Sequence, residues 1–187
     1  IRNFRVAAGL ERGEFVGMVF QDSDVGKWIE AAAYALETHP DPALEAQVDE
    51  TVEIMEKAQS PDGYLNTYFT IKEPGRRWSN LWECHELYCA GHLLEGAIAY
   101  YRSTGKRRFL DIMCRYVDLI DRTFGPNPGQ IHGYDGHEEI ELALLRLFDV
   151  TGDTVNTAAR VRALAESRQI LVGPATHGAI ASAYDTR

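Results

Sequence analysis

Hydrophobic positions recur at helical spacing along most of the chain. Helices are predicted over 24–37, 42–59, 79–102, 106–123, 137–150 and 154–168. In the fourth of these, one face carries Phe109, Ile112, Met113, Tyr116, Val117 and Ile120, the i, i+3, i+4 pattern of an amphipathic helix. Only a short run at 170–172 is a candidate strand. The pattern therefore predicts an all-α fold.

The first two helices have predicted faces and boundaries. Asp24 is expected to cap the first helix. Its apolar stripe would hold Trp28, Ala31, Ala32, Ala35 and Leu36. Pro40 ends this helix and Pro42 can open the next. The second apolar face would hold Leu44, Val48, Val52 and Met55.

Short turns and long loops alternate between the helices. The long loops, at 60–68 and 125–136, are rich in Gly, Pro and polar residues, whereas the turn at 103–105 is short. Paired helices joined in this way predict stacked αα-hairpins, either an α-solenoid or an α/α toroid. Six helices would make about half of a closed ring, whose long loops gather at one mouth.

Composition and charge narrow the classes of partner. The chain has 187 residues, of which 45% are hydrophobic and 25% charged, which is typical of a folded domain. Its formal net charge of −9 argues against binding to nucleic acid or to anionic membranes. The sequence has no run of about 18 apolar residues that would span a bilayer. A homo-oligomer is left open.

The cysteines and the first residues bear on location. Cys84, Cys89 and Cys114 are odd in number and lack the spacing of a disulfide framework, which favours a reducing compartment. The sequence from Ile1 onward has no secretion-signal pattern. A cytoplasmic location is therefore expected.

Polar aromatic side chains form a candidate binding stripe. His85, Tyr88 and His92 are spaced i, i+3, i+7, so one face of the predicted third helix would carry all three. Two imidazoles and a phenol suit a wet cavity wall that hydrogen-bonds hydroxyl groups. The alternative is a set of buried polar residues satisfied between helices.

A metal site is not predicted. His85-Glu86 resembles the start of a zinc-binding HExxH motif, but Cys89 stands where the second His is required. Two ligands do not complete a tetrahedral site.

Other polar residues offer weaker candidates. His137 begins the predicted fifth helix and could face a ligand, while Phe20 could be a platform for a sugar face or part of the core. A glycosidase pair could be drawn from the carboxylates, although spacing along the chain cannot choose one. These carboxylates are Asp22, Glu83, Glu86, Glu138 and Glu141.

Three stretches together resemble the bacterial β-L-arabinofuranosidase family, glycoside hydrolase family 127. They contain the motifs FQDSDVGKW within 3–34, SPDGYLNTYF and WECHELYCAGH within 60–112, and GYDGHEE within 131–153. The resemblance implies an α/α toroid of the six-hairpin type, followed by β-sandwich domains. It also implies a retaining mechanism in which a zinc-bound cysteine thiolate attacks the anomeric carbon and a glutamate is the acid/base.

By motif position, the resemblance assigns His85, Tyr88 and His137, with Phe20, to the pocket for the arabinofuranose ring. The family's acid/base glutamate and zinc ligands lie beyond its GHEE motif. No catalytic residue and no zinc ligand is therefore assigned in this chain, although zinc is expected in the intact enzyme. The expected ligand is an arabinose-containing oligosaccharide or glycoside.

The resemblance covers the chain only as far as about residue 153, which divides it into two parts. Residues 1–153 are expected to form about half of the toroid, and 154–187 a diverged continuation or a tail. The chain is thus predicted to be a fragment of a retaining glycosidase that carries sugar-pocket residues without the nucleophile. Two alternatives stay open: a non-catalytic helical module that binds carbohydrate or protein, and another α/α-toroid enzyme such as an unsaturated glucuronyl hydrolase or a sugar epimerase.

Overall fold

A computed structural model describes residues 1–133 and 135–152. Within them the regular structure is helical, and the one β-type pairing is an isolated bridge between Phe124 and Ile131. The helices are α1 (Arg2–Ala7), α2 (Asp22–Thr38), α3 (Pro42–Ala58), α4 (Thr67–Ile71), α5 (Leu81–Cys84), α6 (Glu86–Thr104), α7 (Arg108–Thr123) and α8 (Glu139–Thr151). The prediction of an all-α fold is confirmed for this part of the chain.

The long helices pack in two rows. In the first row α6 lies between α2 and α8, and in the second row α3 contacts α7. Short turns lead from the first row to the second, from α2 to α3 and from α6 to α7. Long segments lead back, from α3 to α6 and from α7 to α8. This is the predicted arrangement of stacked αα-hairpins.

Glycines allow the helices of the first row to touch backbone to backbone. A Cβ on Gly26 of α2 would lie 2.5 Å from the carbonyl oxygen of His92 on α6. A Cβ on Gly91 of α6 would lie 2.9 Å from the backbone of Glu139 on α8. Because such separations are shorter than van der Waals contact, only glycine fits. These contacts hold α2, α6 and α8 at fixed separations.

The core lies between the two rows. Helix α3, the second of the predicted helices, buries Val48, Val52 and Met55 as predicted, with Leu44 half-buried. Helix α7, the fourth of the predicted helices, buries its whole predicted apolar face, including Phe109 and Tyr116. Burial of this apolar surface provides the main driving force for folding.

The predicted third helix is not continuous. His85 adopts a left-handed conformation, with φ of 53° and ψ of 37°, and separates α5 from α6. A left-handed residue other than glycine is rare and breaks the helix. His85 therefore lies at the N-cap of α6, and the expected single stripe of His85, Tyr88 and His92 does not exist as such. The apolar pattern on both sides concealed the break.

The details predicted for the first of the predicted helices, which is α2, were also partly wrong. Helix α2 begins at Asp22, so Asp24 lies in its first turn and is not the cap. Its buried face holds Ile29, Ala32, Ala33 and Leu36. Trp28, Ala31 and Ala35 are exposed, because the buried stripe is rotated relative to the one predicted.

Several predictions fall elsewhere in the chain. The sixth helix at 154–168, the candidate strand at 170–172 and the proposed division after residue 153 all lie outside the described residues. Helices α1 and α4 were not predicted. Among the described helices, none combines the length and the hydropathy required to cross a bilayer.

Candidate functional site

The candidate site lies where the three helices of the first row begin. Phe20 precedes α2, His85 precedes α6 and His137 precedes α8. The ring centroids of Phe20 and His85 are 5.6 Å apart, and those of His85 and His137 are 4.9 Å apart. One end of each helix therefore contributes an aromatic or imidazole side chain to the same place. The positive end of each helix dipole lies there as well.

Tyr88 completes this cluster from the first turn of α6. Its ring lies 5.7 Å from that of His85 and 5.5 Å from that of His137. The structure thus brings together all four residues that the sequence assigned to a sugar pocket. We call His85, Tyr88, His137 and Phe20 the ring cluster. His137 is exposed, and the other three are partly buried.

Lys27 of α2 contacts Tyr88 directly. Its ammonium group donates a hydrogen bond to the Tyr88 hydroxyl oxygen at 2.8 Å and lies 5.0 Å from the centre of the ring. The same ammonium group donates to Ser23 Oγ at 3.2 Å. Because the lysine occupies a lone pair of the phenol oxygen, the Tyr88 O–H is free to donate to another group. A sugar hydroxyl is a suitable acceptor.

Asp135 ties the loop before α8 to the first turn of α6. Its carboxylate accepts hydrogen bonds from the backbone N–H of Tyr88 and, at 2.8 Å, from that of Gly136. His85 is the N-cap residue of α6, but its side chain makes no capping hydrogen bond. Asp135 caps the helix in its place. Burial raises the pKa of Asp135 to about 6. This contact places His137 beside His85.

Glu86 fixes the backbone on the other side of His85. Its buried carboxylate accepts hydrogen bonds from the Tyr64 hydroxyl and, at 2.7 Å, from the backbone N–H of Trp78. Trp78 is the other left-handed non-glycine residue among those described, with φ of 64°. Burial raises the pKa of Glu86 to about 7. Glu86 therefore links the left-handed residue Trp78 to the left-handed residue His85, which directly precedes it. Such conformations are strained and persist only where the surrounding packing holds them.

His92 belongs to a neighbouring polar group rather than to the open part of the site. Its ring is 4.5 Å from that of Tyr88, and Nδ1 lies 3.3 Å from a carboxylate oxygen of Glu139. Burial, together with the nearby charge of Lys27, lowers the pKa of His92 to about 4. The neutral imidazole packs edge-to-face against the ring of Tyr88. Of the two interpretations of the stripe, a polar residue satisfied between helices describes His92 better than a residue of a cavity wall.

The carboxylates considered as a glycosidase pair have different surroundings. Asp22 is buried and accepts hydrogen bonds from the backbone N–H and the hydroxyl of Thr67, at 2.6 and 2.5 Å. Burial raises its pKa to about 6. Asp22 and Glu86 are thus engaged in holding the fold. Glu83 and Glu138 are exposed, and Glu141 is half-buried.

A cavity opens beside the ring cluster. Its volume is about 400 Å³, and its walls are Trp82, Glu83, His85, Gly136 and His137. Imidazoles, a carboxylate and an indole together offer hydrogen bonds to hydroxyl groups and an apolar surface for C–H groups. This is the mixture of polar and aromatic groups found in small-molecule sites.

The described residues do not fit the zinc centre that the resemblance implies. Among residues 1–133 and 135–152, no three His, Cys, Asp or Glu side chains are grouped so that they could hold a metal ion. Burial raises the pKa of Cys89 well above its usual value, so that its sulfur is a thiol at neutral pH. Burial also raises the pKa of Cys84.

Four contributors to the site were not singled out from the sequence. They are Lys27, Trp82, Asp135 and, in its positioning role, Glu86. The glycine one position before Lys27 could have indicated that α2 approaches another helix closely. The turn sequence around Asp135 indicated a loop, but its partner on α6 is remote in sequence.

The comparison with known proteins decides the family. The model of the β-L-arabinofuranosidase GH127 catalytic domain matches residues 2–161. The chain belongs to the GH127 family. The resemblance inferred from the motifs is thereby confirmed, and the other toroid families considered from the helix pattern are not supported.

Individual GH127 relatives agree. A non-reducing end β-L-arabinofuranosidase from Bifidobacterium longum subsp. longum is 49% identical over 157 residues, covering 82% of this chain and 24% of the relative. The crystal structure of a GH127 β-L-arabinofuranosidase from Geobacillus stearothermophilus T6 is 58% identical, with a TM-score of 0.87, and the match covers 96% of this chain and 28% of that one. The chain thus spans about a quarter of the length of these relatives.

Two further structures bear on the fold. A GH127 β-arabinofuranosidase is 39% identical with a TM-score of 0.83, covering 89% of this chain and 28% of its own. A structure described as a glycoside hydrolase is 20% identical with a TM-score of 0.60, covering 91% of this chain and 25% of its own, and shows a likeness of fold alone. The two rows of helices are therefore a fraction of the GH127 α/α toroid.

Proposed function

We propose that this chain provides one wall of the sugar pocket of a retaining β-L-arabinofuranosidase. The observation that carries the proposal is the convergence of His85, Tyr88 and His137, whose ring centroids lie within 6 Å of one another. Two of the three, His85 and His137, line a cavity. Membership of the GH127 family and the β-L-arabinofuranosidase activity of the relative from Bifidobacterium longum support the choice of an arabinofuranosyl ligand.

The chemistry of the ring cluster suits a pentose. A pentofuranose presents several hydroxyl groups around a small apolar face. Imidazoles donate and accept hydrogen bonds, and the Tyr88 hydroxyl can donate, because Lys27 occupies its oxygen. Phe20, 5.6 Å from His85, can pack against the C–H groups of the ring. Together they would recognise and orient the sugar.

The bond-breaking groups are proposed to lie outside the described residues. Asp22, Glu86 and Asp135 are each committed to backbone or hydroxyl partners that hold the site together. None of these is a free nucleophile. We propose that the zinc-bound thiolate and the acid/base glutamate of the intact GH127 enzyme come from another part of its sequence.

Binding and turnover test this proposal separately. The chain should bind methyl β-L-arabinofuranoside in a calorimetric titration and should release almost no nitrophenol from a nitrophenyl β-L-arabinofuranoside. The double variant His85→Ala/His137→Ala should lose the binding. Failure of the wild-type chain to bind the sugar would contradict the proposed pocket, and rapid turnover would contradict its catalytic incompleteness. Binding of an unrelated hexose with equal affinity would contradict the assignment to a pentose.

A further inference from the structure

The motif SPDGYLNTYF covers the loop between α3 and α4 and the first residues of α4, and the ring cluster contains none of its residues. Tyr64 of this loop is fully buried. Its hydroxyl donates a hydrogen bond to the carboxylate of Glu86, the residue that directly follows His85. Burial raises the pKa of Tyr64, so its hydroxyl remains a donor at neutral pH. A buried loop residue thus reaches the backbone that carries the ring cluster.

The loop that carries Tyr64 is fixed to α7. Gln59 Nε2 donates to the carbonyl oxygen of Gly63 in the loop and to that of Ile112 in α7, each at 2.8 Å. A Cβ on Gly63 would overlap the carbonyl oxygen of Arg115, so the loop lies directly on the backbone of α7. Tyr64 is therefore anchored in the second row of helices, while the residue to which it donates lies at the start of α6 in the first row.

The ring of Tyr64 is held by a cation and by an indole. The guanidinium carbon of Arg77 lies 3.8 Å from the centre of the ring, a cation–π contact. Arg77 is itself held by hydrogen bonds to Asp62 at 2.8 Å and to Ser60 Oγ at 3.0 Å. The ring of Trp78 packs edge-to-face on that of Tyr64, with centroids 5.2 Å apart. These contacts fix the ring and, with it, the position of the hydroxyl.

The side chain of Glu86 connects this hydroxyl to His85. One carboxylate oxygen accepts from Tyr64, and the other accepts from the backbone N–H of Trp78 at 2.7 Å. Because Glu86 is fully buried, a carboxylate oxygen that lost its partner would be costly to the fold. The backbone of His85 is left-handed, a conformation that persists only where its surroundings hold it. The contacts of Glu86 are among those surroundings.

We propose that Tyr64 is a positioning residue for the sugar pocket: its hydroxyl, through the carboxylate of Glu86, keeps the backbone of His85 left-handed and its imidazole in the ring cluster. This inference rests on the proposed function, because it takes the ring cluster to bind the sugar. Tyr64 does not line the cavity and acts on the ligand only through His85. The loop motif thus supports the pocket without touching the sugar.

Tyr116 offers a matched control for Tyr64. It is a fully buried tyrosine of α7, and its ring centroid lies 5.5 Å from that of Tyr64. Among the described residues, its hydroxyl has no hydrogen-bond partner. Replacement by phenylalanine removes a single hydroxyl group in each case and keeps the aromatic ring. The two variants therefore differ chiefly in the hydrogen bond to Glu86.

Sugar affinity and the histidine NMR signals of the full chain test the proposal. Tyr64→Phe should weaken binding of methyl β-L-arabinofuranoside about three- to tenfold, and Tyr116→Phe should stay within about twofold of the wild type. With ¹³C-labelled histidine, the Cα and Cβ shifts of His85 report its left-handed backbone. These shifts should move in Tyr64→Phe and not in Tyr116→Phe. A merely structural role of Tyr64 would not move them selectively.

A second variant covers the case in which Tyr64→Phe does not fold, which circular dichroism would reveal. Arg77→Met removes the cation beside the Tyr64 ring at a partly exposed position. It should move the same His85 shifts, with a smaller loss of affinity.

The outcomes separate this proposal from the proposed function. Unchanged His85 shifts in Tyr64→Phe, or equal losses of affinity in Tyr64→Phe and Tyr116→Phe, would overturn the positioning role and leave the sugar pocket intact. If the wild-type chain does not bind the sugar, the proposed function fails. The His85 shifts would then still decide whether the Tyr64 hydroxyl holds the backbone of His85.

Discussion

The carboxylate of Asp135 accepts a hydrogen bond from the backbone N–H of Tyr88, 47 positions earlier in the sequence. This contact joins the loop that carries His137 to the helix end that carries His85 and Tyr88. It explains how two motifs that are remote in sequence form one site. A cap supplied by another hairpin replaces the usual local one.

Replacing Asp135 should therefore affect both stability and binding. Asp135→Ala removes the cap of α6 and the tether of the loop, so the free energy of unfolding should fall by about 1–2 kcal/mol. Affinity for methyl β-L-arabinofuranoside should fall as well. Urea denaturation and calorimetry measure the two effects.

Asp41 offers a matched control for that variant. It caps α3 by accepting from the backbone N–H of Ala43 and of Leu44, at 2.9 and 3.2 Å. Asp41→Ala should lower stability by a similar amount and leave sugar affinity unchanged. A parallel loss of affinity in both variants would mean that general destabilisation, rather than the tether, weakens binding.

Lys27 is expected to contribute to binding through Tyr88. Lys27→Met removes the hydrogen bond to the Tyr88 hydroxyl and the charge beside its ring. A loss of about 1 kcal/mol corresponds to an affinity about fivefold weaker in calorimetric titration. Lys57→Met, which changes an exposed lysine of α3, is the control. Identical affinities for the two variants would show that Lys27 does not position Tyr88.

Gly26 is expected to tolerate no side chain. A methyl group there would lie 2.5 Å from the carbonyl oxygen of His92 and would push α2 away from α6. Gly26→Ala should lower the free energy of unfolding by about 1–3 kcal/mol, despite the better helix propensity of alanine. Thermal denaturation measures this, with Ala35→Ser on the exposed face of α2 as the control. A stabilised Gly26→Ala variant would contradict the close contact.

Glu86 should make stability depend on pH. Its pKa is raised from 4.5 to about 7 in the folded protein, so the folded state favours the protonated form. Its contribution to stability is therefore present below about pH 4.5 and is lost as the pH rises towards about 7. The shift corresponds to a change on the order of 3 kcal/mol across that range.

The variant Glu86→Gln should remove this contribution. Urea denaturation at several pH values between 4.5 and 7.5 should give a weaker fall in stability with rising pH for the variant than for the wild type. Glu37→Gln, an exposed carboxylate on α2, should keep the wild-type slope. Equal slopes for Glu86→Gln and the wild type would show that Glu86 ionises without cost.

The arrangement of the helices was predictable from the sequence because apolar spacing and turn chemistry act locally. Gly105 and Gly152 end α6 and α8 in left-handed conformations, a common role of glycine at a helix C-terminus. The break at His85 was not predictable, since neither a glycine nor a proline marks it. The left-handed backbone is flanked instead by two contacts with residues that are not its neighbours in sequence: Glu86 accepts from the backbone N–H of Trp78, and Asp135 accepts from that of Tyr88.

The candidate site was predictable to a similar extent. The motif resemblance selected His85, Tyr88, His137 and Phe20, and the structure brings their rings together. Spacing alone placed His92 beside them, although it pairs with Glu139 of the next helix in the first row. Lys27 and Asp135 could not be found from periodicity, because their partners lie across helix contacts that only the three-dimensional packing creates.

The histidine side chains allow the most direct test of the sugar pocket. In a ¹H–¹³C NMR spectrum of the chain with labelled histidine, methyl β-L-arabinofuranoside should shift the ring signals of His85 and His137. The signals of His39, which lies at the other end of α2, should not move. Unchanged signals for His85 and His137 at saturating sugar would contradict the central claim that the ring cluster binds an arabinofuranose.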